Sequence, residues 1–243
     1  MACHESVHYN LLSPKKLNEI FGLLLCSIVG IHYARYREQH FRHHKAIFIK
    51  EDPDSYIYLP MLKASPGLPR IAVWIAGIPF EIIKKFREKS IEKNSLIIGL
   101  GKEKMHGMAV LVANLIVFIV YVIFGHWWEW ILFWLLPLLT IALFLNRTRV
   151  WVEHGYIHAI KGIHADDIDN QKMETIDIAS NRVENFIIAP FSFNYHLTHH
   201  TIPSVPYYKN RALSKILVAQ NKFDYSRRLD ISYIEAIKKI IFV

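Results

Sequence analysis

Two long apolar runs dominate the hydrophobic pattern of the chain. Residues 108–124 (MAVLVANLIVFIVYVIF) and residues 130–145 (WILFWLLPLLTIALFL) contain no charged side chain. Each run is close to the shortest length that crosses a bilayer at about 1.5 Å per residue. The connection between them, GHWWE, is short and rich in indole rings, which favour the membrane–water interface. The pattern predicts two membrane-spanning helices joined by a tight turn.

Basic residues flank this pair of helices. Lys102 and Lys104 precede the first run, and Arg147 and Arg149 follow the second. Lysine and arginine accumulate in segments that stay in the cytoplasm, so both outer ends are expected on the cytoplasmic side. The alternative is a buried helical hairpin of a large soluble protein, but little else in this chain could cover two wholly apolar helices.

Shorter apolar segments complete the pattern. Residues 20–31 and 71–80 are too short to cross a bilayer, and they predict helices that lie in the interface or pack against the core. The final stretch, ISYIEAIKKIIFV, predicts an amphipathic helix with Ile234, Ile237 and Ile241 on its apolar face. The expected fold is therefore all-α: a multi-pass membrane protein with a cytoplasmic helical cap, in one domain over residues 1–243.

Composition narrows the classes of function. The chain is 52% hydrophobic, as in a membrane protein with a sizeable aqueous part, and it has a formal net charge of +8. Positive charge can indicate a nucleic-acid partner, but no nucleic-acid motif accompanies it, and no such partner is expected. The two cysteines, Cys3 and Cys26, are too few for a disulfide framework and form no CxxC pair.

Histidines form three clusters along the chain. There are 14 histidines in all, and eight of them fall in the motifs HESVH, HFRHH and HLTHH, at His4, His8, His40, His43, His44, His196, His199 and His200. Residues three and four apart on a helix project from one face, so each cluster can direct two or three imidazoles to one point. Imidazole is a good ligand for iron, copper, nickel and zinc.

The number of clustered histidines favours two metal ions. A zinc site usually closes with four ligands, and eight imidazoles exceed that need. The pair of spans between His44 and His196 returns the chain to the side that it left, so the clusters can meet on one membrane face. A zinc protease is an alternative, because HESVH matches HExxH with Glu5 as general base, but it leaves both HxxHH motifs unexplained.

In these motifs the chain resembles the membrane fatty acid desaturase family, whose relatives include carotenoid ketolases and sphingolipid desaturases. The first family box is matched by HESVHYNLL, the second by YREQHFRHHK with Asp52-Pro-Asp54 after it, and the third by NYHLTHHTIPSVPYY. Similar proteins also carry a segment like RVWVEHG, whose histidine is an additional ligand; here that is His154. The resemblance covers nearly the whole chain.

The resemblance implies an oxidoreductase with a non-haem di-iron centre. Nine histidines would bind two iron ions, and O₂ would be the co-substrate for introducing a double bond into a lipid acyl chain. An external electron donor, a ferredoxin or a cytochrome b5-like protein, is implied because no haem, flavin or iron–sulfur motif is evident. Asn194, Glu5 and Glu153 are expected to act around the ligands. The histidines outside the boxes, namely His32, His106, His126, His158 and His164, are treated as non-ligands.

The chain departs from the family pattern at its start. Family members normally have one or two spans before the first box, whereas His4 is the fourth residue here. The expectation is that the N-terminal membrane spans are missing, so that upstream in-frame sequence would encode an apolar span of about 20 residues. The alternative functions are a lipid or carotenoid hydroxylase or ketolase on the same site, and an inactive truncated remnant.

Overall fold

The structure, a computed structural model, describes residues 1–87, 100–162, 167–222 and 227–243. These residues are mostly helical and contain almost no strand, which confirms the all-α prediction. The helices are α1 (Ala2–Val7), α2 (Lys15–Ile28), α3 (Tyr33–Lys45), α4 (Ser55–Lys63), α5 (Leu68–Arg87), α6 (Leu100–Phe124), α7 (Trp127–Lys161), α8 (Arg182–Ile187), α9 (His196–Thr201), α10 (Tyr207–Ala219) and α11 (Tyr233–Phe242). Short 3-10 turns occur at Ile49–Glu51 and Ile168–Asn170. Two-residue strands β1 (Asp177–Ile178) and β2 (Arg228–Leu229) pair in parallel.

Helices α6 and α7 are the two described helices that are long and apolar enough to cross a membrane. In the most apolar window of each, only 6% of the residues are buried, so these side chains face outward as lipid-contacting residues do. Both helices exceed the predicted runs: α6 begins before residue 108, and α7 continues well past residue 145. The apolar run predicts too short a helix for α7, because the second half of the helix is polar in sequence and packs against other helices.

Helix α7 is not uniform along its length. Wide π-helical turns interrupt it at Ile131–Leu135, Leu138–Ala142 and Trp151–Gly155. Its end is set by Gly162, whose φ of 63° lies in the left-handed region that glycine adopts without steric cost. The third wide turn contains Glu153 and His154, and π-turns inside α-helices are frequent at functional sites.

The chain forms two compact units. The first comprises residues Met1–Phe41 and Ile82–Leu143, where α2 packs against both α1 and α6. Ser6 on α1 is a focus of its hydrogen bonds. The carbonyl oxygen of Ser6 accepts from Asn18 Nδ2 at 2.7 Å and from the Tyr33 hydroxyl at 3.0 Å. These bonds fix the short helix that carries His4.

The second unit comprises residues Arg42–Glu81 and Phe144–Val243. Helices α4 and α11 both pack against the wide turn Trp151–Gly155 of α7. The Trp151 indole is fully buried and donates to the carbonyl oxygen of Ile57 at 2.8 Å. The core of this unit is thereby built directly around the turn that carries His154.

A buried ion pair joins α5 to the second half of α7. Arg147 and Glu81 are each only 1% exposed and form a short ion pair, and Arg147 also donates to the carbonyl oxygen of Val73 at 3.2 Å. The opposite face of α5 leaves apolar side chains such as Ile75 and Ile83 exposed. The helix predicted over residues 71–80 is therefore longer than expected and has one packed face and one apolar, exposed face.

The C-terminal helix forms as predicted, but its buried face differs from the predicted one. Its buried residues are Tyr233, Ala236, Ile237, Ile240 and Ile241, whereas Ile234 is 58% exposed. The prediction was wrong for Ile234 because the buried face begins one residue earlier and follows the i, i+3, i+4, i+7 and i+8 positions.

Candidate metal centre

Three histidines come together in the first unit. His4 lies on α1, His8 is the residue that ends this helix, and His40 lies on α3. The Nε2 atoms of His8 and His40 are 2.7 Å apart, and the ring centres of His4 and His40 are 4.4 Å apart. One potential ligand nitrogen from each ring lies within 4.8 Å of the others. The first predicted motif thus meets the first histidine of the second motif.

Four histidines converge in the second unit, and we call His43, His154, His196 and His200 the histidine tetrad. Their potential ligand nitrogens all lie within 4.8 Å of one another. The Nε2 atom of His196 is 2.8 Å from that of His154 and 3.1 Å from that of His200. The Nε2 atom of His43 is 3.2 Å from that of His200.

His44 and His199 form a further pair in the second unit. Their Nε2 atoms are 3.1 Å apart, and the His44 ring also stacks on His200 at 4.2 Å between centres. Helix spacing explains why adjacent residues serve different neighbours. On α9, His196 and His200 are four residues apart and share a face, whereas the adjacent residues His199 and His200 point about 100° apart around the helix axis.

The geometry of the tetrad fits a metal ion. Imidazole nitrogens bound to one tetrahedral ion at 2.0–2.1 Å lie about 3.3 Å from each other. The Nε2 separations of 2.8, 3.1 and 3.2 Å in the tetrad approach that value. Three of these imidazoles are buried and His200 is partly buried. Without an ion between them they would share few hydrogen-bond donors, and burial of such groups is costly. The tetrad therefore fits the requirements of a metal-ligand set.

Asp52 orients His43 from behind. Its Oδ1 atom lies 2.7 Å from Nδ1 of His43, and its Oδ2 atom accepts a hydrogen bond from the Tyr58 hydroxyl at 2.8 Å. A carboxylate on Nδ1 holds the proton there and leaves Nε2 unprotonated, as a metal ligand must be. Sequence analysis noted Asp52 only as part of a family motif. Its position nine residues after His43 gave no geometric signal.

Glu153 organises the other side of the tetrad. This carboxylate is fully buried and accepts from Arg149, one helical turn earlier, and from the Tyr233 hydroxyl at 2.9 Å. Its Oε2 atom is 3.4 Å from Nδ1 of His196. The wide turn Trp151–Gly155 allows Glu153 and the adjacent His154 both to reach the tetrad region.

Burial lowers the pKa of two imidazoles of α9 and of one in the first unit. Burial, followed by the neighbouring imidazoles, lowers the pKa of His196 and of His200 well below the usual value of 6.5. In the first unit, burial and then the charge of Arg37 lower the pKa of His8 to about 4. A neutral imidazole has a lone pair for a metal, so these rings are ready to ligate at neutral pH.

Asp177 holds the helix that carries three of the histidines, a role that sequence analysis missed. Its buried carboxylate accepts from the Thr198 backbone N–H at 3.0 Å and hydroxyl at 2.6 Å, and from the Ser214 hydroxyl at 2.9 Å. Thr198 lies between His196 and His199 on α9. The only signal in the sequence is an acidic residue between two apolar neighbours, Ile176 and Ile178.

The remaining predicted residues have clear positions. Oε1 of Glu5 lies 3.3 Å from Nδ1 of His4. Asn194 donates its amide to the carbonyl oxygen of Ile178 at 2.9 Å, which ties the segment before α9 to strand β1. Of the histidines treated as non-ligands, His164 lies outside the described residues. The structure groups none of the other four, His32, His106, His126 and His158, with a candidate metal site among the residues that it describes.

Comparison with known proteins assigns the chain to a family. A family model described as fatty acid desaturase matches residues 1–230 of the 243. No curated protein and no solved structure matches the chain significantly. The family match extends over all three histidine motifs and over the segment that contains His154, and the chain therefore belongs to the fatty acid desaturase family.

Proposed function

We propose that this protein is an O₂-dependent lipid desaturase that introduces a double bond into a fatty acyl chain at a histidine-ligated di-iron centre. The observation that carries the proposal is the buried histidine tetrad, with Asp52 and Glu153 behind its rings, in a chain of this family. Family membership supports oxidoreductase activity in general terms. The substrate class and the identity of the metal are part of the proposal.

The chain's own residues hold and orient the imidazoles. The nine histidines of the three motifs and the α7 turn would bind the two irons, and iron bound there would supply O₂ activation. Asp52 fixes which nitrogen of His43 is presented, because a carboxylate on Nδ1 leaves Nε2 as the ligand atom. Glu153 places a carboxylate oxygen 3.4 Å from Nδ1 of His196 without a hydrogen bond to it. The packed helices around the wide turn of α7 exclude water, which would otherwise compete for a reactive site.

The overall reaction defines what must be delivered. Two hydrogen atoms leave adjacent carbons of the acyl chain as the double bond forms. O₂ accepts these two hydrogens together with two electrons and two protons, and it leaves as two water molecules. The two electrons come from an external one-electron carrier that is oxidised twice.

An acidic ferredoxin or cytochrome b5-like protein is the proposed electron donor. The exposed face of α10 supports this proposal, because it presents Lys209, Arg211 and Lys215, and the helix sequence contains no acidic residue. Complementary charge speeds the encounter of partners in a salt-dependent way. Reversal of Lys209 and Lys215 to Glu should slow reduction by an acidic donor at low salt, and an unchanged rate would count against this docking face.

The proposed location is an integral, multi-pass position in the membrane with the active site on the cytoplasmic face. The two spanning candidates support the membrane assignment. Arg147 and Arg149 are engaged in buried ion pairs, so the orientation depends on Lys102 and Lys104, which are exposed in the first turns of α6. A cysteine in place of Lys104 should react with a membrane-impermeant thiol reagent only in inverted vesicles; reaction from the outside of intact cells would contradict this orientation.

Fatty acid profiling tests the proposed activity. The chain is expressed in a host that lacks desaturases, and total fatty acids are analysed by mass spectrometry beside His199→Ala and His126→Ala variants. We expect a new unsaturated fatty acid with the wild-type chain. The His126→Ala variant should give the same product, because the His126 side chain is 69% exposed and belongs to none of the candidate metal sites among the described residues. His199→Ala should abolish the product.

The product also distinguishes the sister reactions. If a hydroxylated or keto lipid appears and is lost in His199→Ala, the protein uses O₂ at the same site but inserts oxygen instead of forming a double bond. An unsaturated product that persists in His199→Ala would contradict the assignment of the site.

A further inference from the structure

A cavity of about 380 Å³ lies in the second unit, apart from the histidine tetrad. It is lined by Phe48, His158, Lys161, Asn170, Gln171, Lys172 and Glu174. Two of these residues, Phe48 and Lys172, form an isolated antiparallel bridge. The volume falls in the range of cavities that bind small molecules, and six of the seven lining residues have polar side chains. Neither the histidine motifs nor the proposed reaction uses these residues.

His158 is the unusual member of this lining. It is 3% exposed, yet neither of its ring nitrogens has a hydrogen-bond partner among the described residues. Buried polar groups are nearly always hydrogen-bonded, and each exception in a folded protein calls for a partner outside the chain, such as water or a ligand. An imidazole offers one donor and one acceptor when neutral. His158 therefore gives the cavity an unused hydrogen-bonding group at its wall.

The charges around the cavity favour an anion. Glu174 is the single acidic residue of the lining, and it is bound by two cations, Lys161 at 2.9 Å and Arg227 at 3.1 Å. Lys172 is exposed and has no ion-pair partner within the described parts of the chain. The lining with Arg227 thus carries three cations against one carboxylate, and Lys172 is the charge left to bind a ligand.

We infer that this cavity binds an oxyanion of the phosphate type, with Lys172 and the N–H of His158 as its direct donors. A charged donor such as the Lys172 ammonium group forms a strong, short hydrogen bond with an anion. The cavity is larger than a phosphate ion needs, so it has room for the group to which a phosphate is esterified, with the Phe48 ring as an apolar wall. This binding site goes beyond the proposed desaturase reaction and does not depend on it.

Titration calorimetry of the full chain in detergent tests the inference. The probes are inorganic phosphate, dihexanoyl phosphatidic acid and dihexanoyl glycerol, which lacks the phosphate. We expect inorganic phosphate and dihexanoyl phosphatidic acid to bind, and we expect no binding of dihexanoyl glycerol. Lys172→Gln should weaken binding at least about tenfold, the loss of one charge-assisted hydrogen bond, whereas Lys209→Gln on α10 should leave it unchanged. Lys172 is exposed, so its replacement should not disturb folding.

The probes also separate the two sources of phosphate. Tighter binding of phosphatidic acid than of inorganic phosphate assigns the cavity to a lipid or carrier head group, and equal binding assigns it to the free anion. His158→Gln, which keeps a donor but changes its position, should weaken binding as well. The inference is overturned if neither phosphate probe binds, or if Lys172→Gln binds as tightly as the wild-type chain. Because iron and activity are not read, failure here leaves the desaturase proposal untouched.

Discussion

Glu153 shows how much depends on single side chains around the tetrad. Its carboxylate is buried between Arg149 and the Tyr233 hydroxyl and lies 3.4 Å from His196. Replacing it with glutamine would leave Arg149 with its charge and without a counter-charge in a buried setting. Removing one partner of a buried ion pair commonly costs about 3–5 kcal/mol.

We therefore expect Glu153→Gln to lower the free energy of unfolding by about 3–5 kcal/mol. Tyr233→Phe removes one hydrogen bond to the same carboxylate and should cost about 1.5–3 kcal/mol. Denaturant titration of both variants in detergent, followed by tryptophan fluorescence, measures the two losses. Equal stability of Glu153→Gln and the wild-type chain would show that the pair contributes no net stability.

The histidines of α9 predict how stability changes with pH. Burial lowers the pKa of His196 and of His200 in the folded chain, whereas in the unfolded chain the pKa of both is about 6.5. Above that pH both imidazoles are neutral in the folded and in the unfolded chain, so the free energy of unfolding is not reduced by their protonation. As the pH falls below it, the unfolded chain takes up protons that the folded chain resists, so the folded state loses stability.

Thermal unfolding in the presence of a chelator should therefore begin at a lower temperature at pH 5.5 than at pH 7.5. His200→Gln should reduce this difference, because one of the responsible groups is then absent. A chain that is more stable at pH 5.5 than at pH 7.5 would contradict the burial of these imidazoles in neutral form.

At the scale of elements, helix α9 depends on Asp177. The helix has only six residues, too few to be stable alone, and the buried carboxylate binds both the backbone and the side chain of Thr198. Loss of such an outer contact typically lowers metal affinity about 10–100-fold. We expect Asp177→Asn to weaken iron binding by that factor while the helical circular dichroism is retained.

Competition with a chelator of known affinity measures the effect of Asp177→Asn. Asp230→Asn is the matched control, because Asp230 is exposed and follows strand β2, the partner of the strand that contains Asp177. Identical iron affinity in the two variants would assign Asp177 no part in positioning α9.

The contact between α5 and α7 makes a second prediction at this scale. A Cβ atom added at Gly77 would collide with the guanidinium group of Arg147, which is paired with buried Glu81. Gly77→Ala should displace Arg147 and destabilise the fold by about 3–5 kcal/mol, the cost of a broken buried pair. Gly107→Ala in α6 is the control, since a Cβ there meets nothing. Equal melting temperatures of the two variants would argue against this packing.

For the whole molecule, features that depend on regular spacing in the sequence were predictable, whereas contacts between residues far apart in sequence were not. The apolar runs gave the two candidate spans, and helical periodicity gave the grouping of His196 with His200, because both depend on neighbours in sequence. The C-terminal half of α7 was missed because Arg147 is polar by composition and is buried against Glu81 and Val73, which are far from it in sequence. Asp177 and Tyr233 reach their contacts through folding between segments far apart in sequence, which no local pattern records.

Metal analysis of the purified chain tests whether the clustered histidines bind two iron ions, as proposed. The full chain is purified in detergent from iron-replete cells, and iron and zinc are measured per chain by mass spectrometry, with His196→Ala as the matched variant. We expect about two irons per wild-type chain and a marked loss in the variant, because His196 belongs to the tetrad. A folded wild-type chain with about one zinc, or with no metal, would contradict it.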